Sequence, residues 1–382
     1  MKYFDIAKEL ETIKSEGLYR KIPEIQRQCG KNIIVNNICA LNCASNDYLG
    51  FSQNEEIKLA ALDAIKDYGN SSGGSRVVSG NYNIYNRLEK ELADFKGYES
   101  CLIVNSGYIA NLLIVSTLAT PDTIIFTDKL NHASIYDGIR LSGAKMVRYR
   151  HNDVSHLEEL LKKYSAFPEK IVITDTIFSM DGDRVRLREI VNLKASYRFL
   201  LVIDEAHGTG VFGKGRGLAH EYEVEKDIDI NMGTFSKALG GFGAYICAKS
   251  ELVEYLINKG RGFIYTTSLP PAIVGGNLKA IELLKENFEQ YGGKLITYCE
   301  IFRKLLQERK IDFLNSTSQI FPIVVSDNNK ALQAQNKLLK LGIYVAVARR
   351  PTVTTPRLRV SLRADFDLSD IYKIADSLVN TL

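Results

Sequence analysis

Between about residue 100 and residue 248 the chain alternates short, mainly apolar runs with longer amphipathic ones, and this alternation constrains the fold more than any other feature. The apolar runs are residues 101–105, 123–127, 170–174, 199–204 and 244–248. They are too short for helices and rich in β-branched residues, so they read as strands buried on both faces. The segments 108–117, 153–164 and 187–196 between them, and 81–95 just before, carry apolar residues at three- and four-residue steps, the period of a helix. Strand and helix in alternation predict an α/β fold, a mostly parallel sheet covered on both sides, with ligands bound beyond the carboxyl ends of the strands. An amphipathic helix is expected at the start, with Tyr3, Ile6, Leu10 and Ile13 on one face. Beyond Pro270 and Pro271 a long helical stretch runs from Ala272 to about Lys310. Three strand-like runs follow, QIFPIVVSD, LGIYVAVAR and RLRVSLRAD, with a helix at about 329–341 among them, which suggests a smaller α+β domain.

At ~150 residues per domain, 382 residues imply two or three domains. With 49 basic and 45 acidic residues the charges nearly balance, so nothing marks nucleic acid as the main partner. The cysteines Cys29, Cys39, Cys43, Cys101, Cys247 and Cys299 form no C-x-x-C pair and no zinc spacing, which predicts free thiols in a reducing compartment. The first 25 residues carry acids throughout, and no apolar run approaches the ~20 residues that span a bilayer. A cytoplasmic location is the expectation.

Three segments carry chemistry. FLLVIDEAHGTG reads as a buried strand ending in Asp204, with His207 in the glycine-rich loop after it. A buried carboxylate needs a cationic or hydrogen-bonded partner. A helicase role for the D-E-A-H string would need an upstream P-loop, and the chain has none. In MGTFSKALGGFGAYICA, Lys237 lies among small and apolar residues, where desolvation favours a neutral, nucleophilic amine. Thr234 and Ser236 beside it suit an anion. VNSGYIANLL places Ser106, Gly107 and Tyr108 at a strand-to-helix junction, and the amides of a helix N-terminus bind phosphate. A carboxylate for a pyridinium nitrogen, a lysine for a Schiff base and a helix N-terminus for a phosphate are together what pyridoxal 5'-phosphate (PLP) requires. His132, in KLNHAS, offers a flat surface for its ring.

These segments fall in an order that resembles the α-oxoamine synthases, PLP enzymes of fold-type I that condense an amino acid with an acyl thioester. The matching segments are SNDYLGF (45–51), SSGGSRVVSGNY (71–82), SGYIAN (106–111), LNHAS (130–134), FSMDGD (178–183), DEAHGTGVFG (204–213), TFSKALGG (234–241), YTTSLPPA (265–272) and RLRVSLRA (357–364). They span nearly the whole chain. HNDVSHLEELL (151–161) and ARRPTVTTPRLRVSL (348–362) most resemble the biotin-pathway branch; where the family usually reads R-P-P-T-V-P, this chain has Arg349-Arg350-Pro351-Thr352-Val353-Thr354.

The resemblance implies a fold-type I PLP-dependent transferase. Its expected parts are an N-terminal helical segment (1–45), a large PLP-binding domain (46–280) and a small α+β C-terminal domain (281–382). It implies Lys237 as the Schiff-base lysine and Asp204 as the partner of the pyridine nitrogen. His132 would stack on the ring and His207 would bond its phenolic oxygen. Ser179, Thr234, Gly107 and Tyr108 are the further cofactor contacts, and Thr266 or Thr267 would reach the phosphate in a neighbouring subunit of a homodimer. Arg20, Asn46, Thr352 and Arg359 resemble substrate-binding positions, with Arg359 for the amino acid's carboxylate. The implied reaction joins L-alanine to a pimeloyl thioester carried by CoA or acyl carrier protein. Other members of the family use glycine or serine and other acyl chains, a fold-type I aminotransferase would transfer an amino group without consuming a thioester, and a PLP-free interaction protein on this fold is the option furthest from these residues.

Overall fold

A computed structural model describes residues 5–350 and 352–382. Two compact units emerge. One comprises residues 46–179 and 183–296, the other residues 1–45, 180–182 and 297–382.

The larger unit is built on a seven-stranded sheet. Its order is Ser100–Val104, Ala244–Ala248, Ile230–Thr234, Leu200–Asp204, Glu169–Asp175, Thr123–Asp128 and Lys145–Tyr149. Every neighbouring pair is parallel except the two made by Ala244–Ala248, which runs antiparallel to both its neighbours. The central strands are largely apolar because alternate residues feed two cores. Ile125, Ile171 and Ile173 join Ile114, Ile135 and Leu256 on one face. Ile124, Phe126 and Val172 join Leu157, Leu161 and Ile190 on the other. Each fully buried side chain of this kind contributes roughly 1.5–3 kcal/mol.

The helices Asn83–Lys96, Gly107–Leu118, Val154–Lys163 and Leu187–Tyr197 form where the helical period predicts them. Ser106 and Asp153 cap two of them, accepting from the amides of Ile109 and His156. Two strands lack a sequence signal. Lys145–Tyr149 lies at the sheet edge and stays half polar, and Ile230–Thr234 is short, with an asparagine and a glycine inside. The long helical stretch is interrupted. Pro271–Phe288 ends in a π-turn at Glu289–Gly293, where Gly292 and Gly293 fall, before Lys294–Glu308 resumes.

The second unit holds two small sheets. Ile25–Cys29, Asn32–Val35 and Ile38–Asn42 form an antiparallel meander, extended in parallel by Ile343–Tyr344. The first strand is polar and exposed, which hides it from period-2 patterning. Asn36 and Asn37 make the two-residue turn between the next two strands, both at positive φ (50° and 61°), a conformation asparagine tolerates. The other sheet is antiparallel, in the order Ile320–Val324, Arg357–Ser361, Ala346–Ala348. The run LGIYVAVAR therefore serves both sheets, changing over at the buried Val345. The expected first helix forms at Ile6–Ser15, but none of its residues is buried; Tyr3 lies outside the described residues. All six cysteines are free thiols.

One buried pair of charges orders the loop that follows Asp204. Glu205 is wholly buried and accepts from the amides of Leu218 (3.0 Å) and Ala219 (2.9 Å). Lys96, at the end of its helix, is also buried and donates to Thr209 Oγ1 and to the Arg216 carbonyl. Burial lowers the pKa of Lys96, against the upward pull of Glu205, and raises that of Glu205, against Lys96. Lys96→Met is expected to destabilise the fold by about 3 kcal/mol, since it leaves the Glu205 carboxylate without a counter-charge. Denaturant unfolding of Lys96→Met, Glu205→Gln and the double variant checks this, the double costing less than the sum of the singles.

Candidate active site

The strands of the larger unit end on a row of side chains that meet as hydrogen-bonded partners. Asp204 closes its strand, 7% exposed, with one carboxylate oxygen taking the Ala206 amide and the other Asn111 Nδ2, each at 2.9 Å. No ion pair reaches it among the described residues. A buried carboxylate held only by neutral donors is a fitting partner for a cationic ring nitrogen.

Asn111 sits one turn into the helix Gly107–Leu118 and extends the network. The same Nδ2 donates to Ser134 Oγ at 3.0 Å. That hydroxyl lies 2.7 Å from His132 Nδ1 and, with its acceptor side occupied, donates to it. The Ser134 amide points at the same nitrogen. His132 Nδ1 is thus an acceptor, and a neutral ring carries its proton on Nε2. Partial burial lowers the His132 pKa, with Asp204 pulling it up and Lys237 pushing it down. The outcome is an uncharged imidazole suited to stacking.

Lys237 follows the strand Ile230–Thr234 on a tight turn. Gly240 closes that turn at φ 65°, and a Cβ there would lie 2.2 Å from the Ser52 amide nitrogen, so only glycine fits. Lys237 Nζ lies 2.9 Å from His207 Nε2, and His207 Nδ1 lies 2.7 Å from the Tyr48 hydroxyl, itself 3.1 Å from Asn46 Oδ1. Read with the lysine as donor, every link points one way: Lys237 to His207, His207 to Tyr48, Tyr48 to Asn46. The chain fixes the tautomer of His207.

At Ser106 and Gly107 the strand Ser100–Val104 passes into the helix Gly107–Leu118. Ser106 satisfies the Ile109 and Ala110 amides, which leaves those of Gly107 and Tyr108 heading a twelve-residue helix. A Cβ on Gly107 would sit 3.9 Å from Thr234 Cβ, so Thr234 adjoins the helix start. Thr234 Oγ1 donates to the Gly243 carbonyl (2.8 Å) and accepts from the Ser236 amide (3.1 Å), which holds the hydroxyl pair in place. Tyr108 is half exposed and donates to Asp137. Thr267 is exposed, and its carbonyl accepts from Asn105 Nδ2 at 2.7 Å.

Ser179 follows Phe178 on the loop after the strand Glu169–Asp175. His151 braces that loop: its ring lies edge-on to Phe178 at 4.4 Å, and its two nitrogens lie 3.0 Å from Asp128 and Asp183. Burial works against a charged ring here, but the two carboxylates outweigh it and push the pKa up to about 10.

Arg20, Thr352 and Arg359 belong to the other unit, where they line one cavity of about 360 Å³. Lys21, Arg349 and Gln335 share its wall with Met180, Leu332 and Val347. Arg349 donates to the carbonyls of Gly17 and Tyr19, which pins the segment bearing Arg20 and Lys21. Arg359 is buried and donates to Ser361 Oγ at 2.9 Å. Pro351, within the R-R-P-T-V-T stretch, lies outside the described residues.

Sequence reasoning passed over Asn111, Ser134, Tyr48 and His151. All four lie inside segments singled out above, and Asn111 shares a helix face with Gly107 at four-residue spacing. Their partners are distant in the chain, so spacing alone carries no signal for the bonds.

Residues 40–378 match the model of the family described as aminotransferase class I and II. The chain is 43% identical over 370 residues to the 8-amino-7-oxononanoate synthase of Geobacter sulfurreducens, covering 96% of this chain and 95% of that protein. Among solved structures, serine palmitoyltransferase from S. paucimobilis with bound PLP–myriocin aldimine superposes with a TM-score of 0.93 at 27% identity, over 100% of this chain and 97% of that one. The 8-amino-7-oxononanoate synthase of Francisella tularensis gives 0.78 at 30% identity, over 89% and 97%.

The His151 brace has a pH signature. Unfolded imidazole titrates near about 6.5. Because the folded pKa is raised, the brace stabilises fully below that value and its contribution is lost as pH rises toward about 10. Thermal melts between these limits are expected to show wild type losing stability with rising pH and His151→Gln losing markedly less.

Proposed function

Because this chain belongs to the aminotransferase class I and II family, as an acyltransferase of its α-oxoamine synthase branch, we propose that it condenses L-alanine with a pimeloyl thioester. The products are 8-amino-7-oxononanoate, CO₂ and the free thiol of CoA or acyl carrier protein. The cofactor is PLP. When bound, it holds the amino acid's nitrogen covalently and accepts the electrons released as bonds to the α-carbon break.

The residues divide that work. Lys237 would hold the cofactor through Nζ and, with that amine free, would take the α-proton as general base. Asp204 keeps the ring nitrogen protonated, because an ionised carboxylate in a buried site favours the cation beside it. His132 would cover one ring face, and His207, aligned by Tyr48, would bond the phenolic oxygen. The amides of Gly107 and Tyr108, with Thr234 and Ser179, hold phosphate and ring edge. Arg359 binds the amino acid's carboxylate as a fork, and Asn46 contacts the substrate.

The observation that carries the choice of acyl chain is the cavity lined by Arg20, Lys21, Arg349 and Arg359 together with Leu332, Val347 and Met180. Apolar walls with guanidinium and ammonium groups suit a short chain ending in a carboxylate. A long alkyl chain would gain nothing from those cations. The working form is a homodimer in which Thr267 reaches the partner's phosphate. Exposed Val77, Val78 (80%) and Tyr265 (72%) flank the bridge between Ser75 and Thr267, an apolar surface of the kind that association covers.

Purified protein is expected to absorb visible light from lysine-bound cofactor, and Lys237→Ala to abolish that band. Thiol release with alanine, glycine and serine against pimeloyl, acetyl, succinyl and palmitoyl thioesters tests the substrates. Alanine with pimeloyl should lead by at least about tenfold in kcat/KM. Serine with palmitoyl in first place would overturn the reading. Lys21→Ala should raise KM for the pimeloyl thioester with kcat little changed.

A further inference from the structure

Three consecutive parallel strands, Thr123–Asp128, Glu169–Asp175 and Leu200–Asp204, each end in an aspartate. Asp175 is the middle one, and it stands directly opposite Asp204 in the ladder. Its flanking partners are provided for. Asp128 faces the His151 ring at 3.0 Å and takes the amides of Leu130 and Asn152 (2.8 Å each). Asp204 takes Asn111 Nδ2 and the Ala206 amide. Asp175 is 5% exposed and has far less: Oδ2 accepts the His132 amide at 3.1 Å, and Oδ1 is buried with no hydrogen-bond partner.

Two ionised carboxylates cannot sit side by side in a buried site without a cation between them, and the proton goes to the group with the poorer donors. An unpartnered oxygen bearing half a negative charge also costs more than an unpartnered hydroxyl. Both considerations select the same residue. We propose that Asp175 is an un-ionised carboxylic acid at neutral pH, a positioning residue that anchors His132 by its backbone amide and leaves the full negative charge on Asp204. The proposal rests on the reading of Asp204 as the partner of the ring nitrogen. The groups that face Asp175 are Asp204 and Asp128 on the neighbouring strands, the His132 amide on the loop after Asp128, Lys237 on the loop after Thr234, and the phenols of Tyr136 and Tyr149. Burial and then Asp204 raise the Asp175 pKa well above the carboxylate range, with Lys237 opposing. The neutral acid matters because a second negative charge would compete with Asp204 for the ring's proton. It would also repel the amino acid's carboxylate.

The test is infrared spectroscopy of the protein with and without PLP, using ¹³C-labelled aspartate. An un-ionised carboxyl stretch is expected at neutral pH, missing in Asp175→Asn and kept when PLP binds. No such band in wild type, or its survival in Asp175→Asn, overturns the proposal. This readout needs no cofactor, so a protein that fails to take PLP would count against the cofactor reading alone. In loaded protein, Asp175→Asn replaces one neutral group by another and should leave the titration of the visible band within ~0.3 pH unit of wild type. α-Proton exchange from alanine should stay within roughly threefold. A fall of about one unit or more in that titration would mean that Asp175 carries charge, and the proposal fails. Asp175→Ala, which removes the anchor of His132, should release PLP at least about tenfold more readily than Asp175→Asn.

Discussion

A carboxylate held inside a protein has to be answered by donors, by a cation or by a proton, and the larger unit is arranged around that requirement. Its parallel strands deliver Asp128, Asp175 and Asp204 to the carboxyl end of the sheet. Each would destabilise a core that offered it nothing. The answers given to them are the site: His151 for Asp128, Asn111 and a backbone amide for Asp204, a backbone amide for Asp175. The loops and helix starts that follow the strands are placed by these contacts as much as by apolar packing.

The same contacts link the groups that would act on a substrate. Asp204 connects through Asn111 and Ser134 to His132, and Lys237 connects through His207 and Tyr48 to Asn46. Each chain fixes a ring tautomer, that of His132 by a donor at Nδ1 and that of His207 by partners at both nitrogens. Beneath them lies a rigid support. The Lys96–Glu205 pair holds the loop after Asp204, and Gly240 lets the Lys237 turn pack against Phe51 and Ser52. Preorganisation of this kind spares a reacting group the cost of reorienting its surroundings.

Much of the fold was legible where the physics is local. Strands buried on both faces print as unbroken apolar runs, and capped helices print as a serine or aspartate before a 3.6-residue period, as at Ser106 and Asp153. Where burial is one-sided or small residues intervene, the signal fades. The edge strand Lys145–Tyr149, the glycine-bearing Ile230–Thr234 and the exposed Ile25–Cys29 left none. The helical stretch after Pro271 reads as continuous, yet two adjacent glycines open a π-turn within it.

By itself the sequence determined the α/β character and the order of motifs. It also put a lysine, an aspartate and a helix N-terminus at or just beyond the ends of strands, because side-chain period, capping chemistry and motif order are properties of neighbouring residues. Only the tertiary structure decided which side chains answer which charges. Asn111 reaches an aspartate 93 residues away, Tyr48 a histidine 159 residues away, and Asp175 faces Asp204 across a ladder. Those pairings depend on strand order and register. Sheet closure sets both through the sum of many apolar contacts, and no short stretch of the chain encodes them.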